Sequence, residues 1–140
     1  MQFNTKSGKA SEGLLKETVE LLPRYIDHIQ SKSRELVPKL DESMDSIKEF
    51  GQLIDKVSSL IRLFSIVHSE CKVYSQDNSS NEAVKAVEIH LLSILKAVKS
   101  AYLVQDTVLL ADLLEYELQD NLTQWKICVI PMLKRMSHRS

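Results

Sequence analysis

Ile47-Lys-Glu-Phe-Gly-Gln-Leu-Ile-Asp-Lys-Val-Ser-Ser-Leu-Ile-Arg-Leu-Phe-Ser-Ile-Val-His-Ser-Glu-Cys71 is the stretch on which the fold turns. Ile47, Phe50, Ile54, Val57, Ile61, Phe64, His68 and Cys71 alternate three and four residues apart, which gathers them on one helix face but divides them between the two faces of a strand. With Pro38 and Asp41 as start signals, the stretch predicts a helix from about residue 39 to about 73, roughly 50 Å long at 1.5 Å per residue. On its C-terminal side the polar run Ser75-Gln-Asp-Asn-Ser-Ser-Asn81 reads as a loop, with Ser79 and Glu82 spaced as a capping box for a third helix. That helix carries Val84, Val87, Leu91, Ile94, Leu95, Val98, Ala101 and Tyr102. A short break at Gln105, with Asp106 as cap, leads to a fourth helix burying Leu110, Ala111, Leu114, Leu118, Leu122, Trp125, Val129 and Met132, which Pro131 bends or ends.

On the N-terminal side, Leu14, Leu15, Val19, Leu22, Tyr25, Ile26 and Ile29 give a first helix capped by Ser11 and reaching about residue 36. Pro23 predicts a kink there, or a break into two pieces. No alternation of period two competes anywhere. The expectation is an all-α chain: an up-and-down antiparallel four-helix bundle with a long second helix and a first helix kinked or broken at Pro23. Residues 1–10 are expected as a flexible tail, 11–136 as one helical-bundle domain and 137–140 as a tail.

Composition narrows the function classes. The 140 residues include 18 Lys and Arg against 19 Asp and Glu, a formal net charge of -1, so no global field favours nucleic acid. No run of about 18 apolar residues suggests a membrane span. The start lacks a secretory apolar run, and Cys71 and Cys128 have no framework spacing; both features fit a reducing, cytoplasmic setting. With only 3 Gly in the chain, phosphate-cradling loops are not expected.

The chemistry-bearing residues form no catalytic pattern. None of His28, His68, His90 or His138 has a Glu three residues before it, as a di-iron bundle requires. His68 and Cys71 share a helix face without a second ligand pair, so they are expected as packed core residues, with burial disfavouring charge on His68 and leucine tolerated there. His90 lacks the close lysine and small residue of a phosphorelay histidine. Asp112, Glu115, Glu117 and Asp120 read as a solvated face, and the basic residues Lys134, Arg135 and Arg139 complement a helix C-terminus. No catalytic residue, cofactor or metal ligand is expected.

Placing the fourth helix at 100° per residue puts Leu109, Leu113, Tyr116 and Ile127 roughly opposite its core stripe. Two readings are open. Either the first helix folds over this second stripe, or the stripe is the surface for a protein partner or a homodimer, with Tyr116 as its anchor.

The stretch Asp106-Thr-Val-Leu-Leu-Ala-Asp-Leu-Leu-Glu-Tyr-Glu-Leu118, followed by Trp125, resembles the signature of a small family of uncharacterised helical proteins from flagellar gene neighbourhoods of Gram-positive bacteria. Its members are similar in size and architecture to flagellar secretion chaperones, helical bundles that hold flagellin subunits before export. The resemblance is close over residues 102–126 and looser over 19–67. It implies a binding or chaperone-like, non-catalytic role in flagellar assembly or export, and the mechanism expected is an apolar groove that takes an amphipathic helix of a protein partner. The alternative is a self-associating structural or regulatory bundle whose second helix is the seam.

Overall fold

A computed structural model describes residues 3–40, 44–72 and 78–137, with side chains described over 13–40, 47–71 and 79–136. The chain is all-α, and no strand occurs among the described residues. Helix α1 spans Phe3–Leu36 and is followed by a 3-10 turn at Val37–Lys39; α2 spans Met44–Lys72 and α3 Asn78–Leu103. Helix α4 occupies residues 107–137 without interruption. It comprises the α-helical segments Thr107–Asp112, Leu118–Gln124 and Ile130–Ser137, joined by π turns at Leu113–Glu117 and Trp125–Val129.

Several expected boundaries move. Helix α1 is described from Phe3, so Ser11 lies inside it and the expected tail continues the helix. Extending an existing helix adds a hydrogen bond for each residue fixed, which a polar segment without proline can follow. Pro23 does not break α1, because Val19, Leu22, Ile26 and Ile29 are buried on both sides of it and their packing offsets the lost N–H. At 34 residues α1 exceeds the 29 of α2, so the second helix is long but not the longest. Pro38 belongs to the 3-10 turn, whereas Asp41 lies outside the described residues. Ser79 falls inside α3, which begins at Asn78. Of the tail expected at 137–140, Ser137 ends the last helix and 138–140 lie outside the described residues.

The core of α2 differs from the expected stripe at Ile47, Ile54 and Ile61. Phe50, Leu53, Val57, Leu60, Phe64, Val67 and Cys71 are buried, whereas Ile54 and Ile61 are half-buried and Ile47 is exposed. Both sets keep three-four spacing and share Phe50, Val57, Phe64 and Cys71, and His68 of the expected stripe is buried as well. The neighbouring helices select Leu53 and Leu60 over the adjacent isoleucines, which are left at the edge. The centre is a stack of Phe64 on Trp125, with ring centroids 3.4 Å apart and planes 10° from parallel.

Helix α4 keeps its face to the core by an unusual route. Leu110, Leu114, Leu118 and Leu122 are four apart, as are Trp125, Val129 and Leu133, and all are buried. Each step of four overshoots an ideal turn by about 40°, so such a stripe would drift round the helix. The two π turns, closed by Leu118 N–H donating to the Leu113 carbonyl and Ile130 N–H to the Trp125 carbonyl, take up the excess. The second also widens the helix just before Pro131, and the helix continues to Ser137.

Between α3 and α4, Gln105 adopts φ 57°, the chain's only positive φ among described non-glycine residues. Asp106 N–H donates to the Ala101 carbonyl at 2.9 Å and Gln105 N–H to the Tyr102 carbonyl at 3.1 Å, the Schellman pattern. The Asp106 side chain accepts from Leu109 N–H at 3.0 Å and caps α4, as expected. Since glycine takes this backbone without a Cβ penalty, Gln105→Gly is expected to stabilise the chain by about 0.5–1 kcal/mol in urea denaturation.

Candidate functional site

Leaving Ile47 and Ile54 at the edge of α2 creates an apolar groove between α2 and α3. Its lining is Ile47, Phe50, Gly51, Ile54 and Asp55 from α2 with Lys99, Tyr102 and Leu103 from α3, and its volume is about 470 Å³. The floor is rigid, because the Phe50 and Tyr102 rings stack with centroids 4.1 Å apart and planes 12° from parallel. Ile47 is 50% exposed and Leu103 80%. The apolar surface continues into the α3–α4 turn, where Val104 and Val108 are each 74% exposed.

Gly51 sits on the α2 side of the groove. A Cβ built there meets nothing within 4 Å. Glycine inside a helix costs about 1 kcal/mol relative to alanine, and no contact in the folded chain requires it here. Asp55 and Lys99 face the groove from opposite walls, are both exposed, and make no ion pair with each other or with any other described residue.

The stripe expected to bind a partner does not survive intact. Leu109, Tyr116 and Ile127 are exposed, so α1 does not cover them. Leu113 is buried in the core beside Leu114, because the π turn beginning at Leu113 changes the phase of the helix there. The exposed side chains Leu109, Tyr116 and Ile127 share their part of α4 with the exposed residues Asp112, Glu115, Glu117 and Asp120. The groove residues Ile54, Tyr102 and Leu103 were missed as a site. The available signal was the doubling of apolar residues at 53–54 and 60–61, more than a single seam can bury, together with a glycine in mid-helix.

The histidines are held by their neighbours. His68 is buried, as expected, but not among apolar groups alone: Nδ1 lies 2.7 Å from Glu88 Oε1 and Nε2 3.1 Å from the Asn81 amide. His90 is exposed. The buried Asn121 side chain donates to the Val87 carbonyl at 3.2 Å, which fixes its amide nitrogen on that side, and the same nitrogen lies 3.1 Å from His90 Nδ1. Because an amide nitrogen can only donate, His90 Nδ1 is the acceptor in this contact.

A polar ladder, buried at Gln30, Ser33 and Gln119 and exposed at its Asp27–Lys126 end, joins α1 to α4. Gln119 donates to Ser33 Oγ at 2.6 Å, to the Gln30 carbonyl at 3.3 Å and, within the first π turn, to the Leu114 carbonyl at 3.1 Å. Gln30 donates to Thr123 Oγ1 at 3.1 Å, and Lys126 pairs with Asp27 at 2.7 Å. Among the described residues Gln119 Oε1, Asn121 Oδ1 and Trp125 Nε1 are buried without a hydrogen-bond partner. The ladder holds no nucleophile and base in contact. Among the described residues no three His, Cys, Asp or Glu side chains gather at metal-ligand spacing, and no helix is long and apolar enough to cross a membrane.

Cys71 is buried and its Sγ–H points at the Leu133 carbonyl at 3.7 Å, while Cys128 is exposed. Burial, with the Glu70 carboxylate adding to it, pushes the Cys71 thiol up from 9.0 to about 11. The raised value stabilises the fold fully below pH 9. That contribution is lost as the pH rises from 9 through 11, because the unfolded chain ionises first. The loss is expected to be about 2–3 kcal/mol, and its absence from Cys71→Ala in pH-dependent denaturation is the check.

The model of a family described as a domain of unknown function (DUF8042) matches residues 13–128. No curated protein and no solved structure matches the chain.

Proposed function

The chain belongs to the DUF8042 family, and we propose that it is a non-catalytic helical-bundle protein that receives an apolar helical segment of a protein partner in its α2–α3 groove. The observation that carries this reading is the groove itself, about 470 Å³ in volume, floored by a rigid aromatic stack and rimmed by exposed Ile47 and Leu103. Exposed apolar surface of this extent marks interaction sites, and two neighbouring helices offer the ridges between which a third can lie.

The bundle is read as up-and-down. Supporting this, residue numbers fall on one helix as they rise on its neighbour: Asp27 meets Lys126, Gln30 meets Thr123 and Ser33 meets Gln119, while Phe50 meets Tyr102 and His68 meets Glu88. Pro23 inside α1 supports a bend that wraps this helix over the core. The resemblance at residues 106–118 and Trp125 supports a cytoplasmic accessory of flagellar assembly or export, with its partner drawn from that machinery.

The test is thermal denaturation with amphipathic helical peptides from flagellar export substrates. A peptide present at 100 times its Kd is expected to add about 2.7 kcal/mol of stability to the wild type. It is expected to add none to Leu103→Asp, whose exposed position keeps the fold. If no peptide raises the melting temperature of a monomeric wild type, or if Leu103→Asp responds equally, the groove is not the docking site.

A further inference from the structure

We propose that the helical segment occupying the groove comes from a second copy of this chain, the two copies packing α2 and α3 face to face about a two-fold axis. The inference rests on the groove being a protein-docking site and names the protein. Three observations carry it.

The first is charge. Asp55 and Lys99 stand on opposite walls of the apolar strip, both exposed, with no ion pair among the described residues. A two-fold axis through the strip brings Asp55 of each copy to Lys99 of the other, so one acid and one base form two reciprocal pairs. Within the groove lining, where Asp55 is the one acid and Lys99 the one base, the surface is complementary to itself.

The second is the missing side chain at Gly51, where a Cβ would meet open space in the single chain. Its helix-weakening cost is explained when another backbone or a bulky side chain approaches there. Leu103, 80% exposed beside the groove, is the side chain that reaches across.

The third is extent. On α3 the exposed residues Ile89, Leu92, Lys96, Lys99 and Leu103 follow one another at three-four spacing, continuing the groove along the helix. Two adjacent helices of this length present a face of roughly 40 by 18 Å, about 700 Å², close to the roughly 800 Å² per partner of a standard stable interface.

The experiment is sedimentation equilibrium on the full chain. The wild type is expected to dimerise, and Asp55→Lys and Lys99→Asp each to dimerise at least about tenfold more weakly, since each places like charges together twice. Mixing the two variants is expected to restore a one-to-one dimer, because both contacts then join opposite charges. An ion pair between Asp55 and Lys99 within one chain would not produce that rescue. Gly51→Leu is expected to be monomeric, with circular dichroism showing an intact fold. A wild type that stays monomeric at its highest soluble concentration overturns the inference, as does a mixture that stays monomeric. If such a monomer is stabilised by amphipathic peptides in wild-type form but not as Gly51→Leu, the docking site stands and only its occupant was misassigned. If the peptides do neither, the docking site falls as well.

Discussion

Trp125→Ala is expected to lower the unfolding free energy by about 3–5 kcal/mol, the range for removing a large aromatic from a core that cannot collapse round the gap. Trp125 is wholly buried, and its ring lies 3.4 Å from that of Phe64, so truncation removes both the buried area and the stack joining α4 to α2. Urea denaturation gives the value directly, with an unchanged m-value showing that the loss is one of stability. Trp125→Phe separates the contributions. It keeps a ring against Phe64 and removes the indole N–H, which is buried without a partner among the described residues. Burying such a donor costs about 1–3 kcal/mol, which offsets much of the cavity left by the smaller ring. Trp125→Phe is therefore expected to cost less than about 1.5 kcal/mol. An equal loss in both variants would show that the stack does not organise the core.

The second large effect is at His68, where the structure reverses the expectation that leucine is tolerated. His68→Leu is expected to destabilise by about 2 kcal/mol, because the contact with Glu88 at 2.7 Å is a hydrogen bond to a charged group, worth about 1.5–3 kcal/mol. It also removes the Asn81 contact at 3.1 Å, and together these tie the C-terminal part of α2 to the N-terminal half of α3. A double-mutant cycle with Glu88→Gln is the check. A coupling near zero would return His68 to the role of a space-filling core residue.

These residues also show how much the amino-acid order reveals. The helices were legible because three-four spacing places apolar side chains on one face whatever they pack against, and the Asp106 cap because its partner, Leu109 N–H, is three residues away. The register of α2 was not, since Leu53 and Ile54, and Leu60 and Ile61, are equally apolar and only the neighbouring helices choose between them. That choice makes the groove, so the candidate site was hidden by the same ambiguity. Glu88 lies 20 residues from His68, beyond the reach of any local pattern. Leu113 was placed on the outside by assuming 100° for every residue, an assumption that fails inside a π turn.

The two π turns also set where α4 tolerates a change in length. Each holds one residue more than an α-helix covering the same ground, so deleting a single residue within Leu113–Glu117 or Trp125–Val129 lets that turn close to ordinary helix while the flanking faces keep their direction. The same deletion within Leu118–Gln124 turns the residues between it and the π turn that closes to absorb it by about 100°, which carries core residues such as Leu118 or Leu122 out of place. Helix α4 thus behaves as a rod with two expansion joints: a single-residue deletion is survivable at the joints and costly between them.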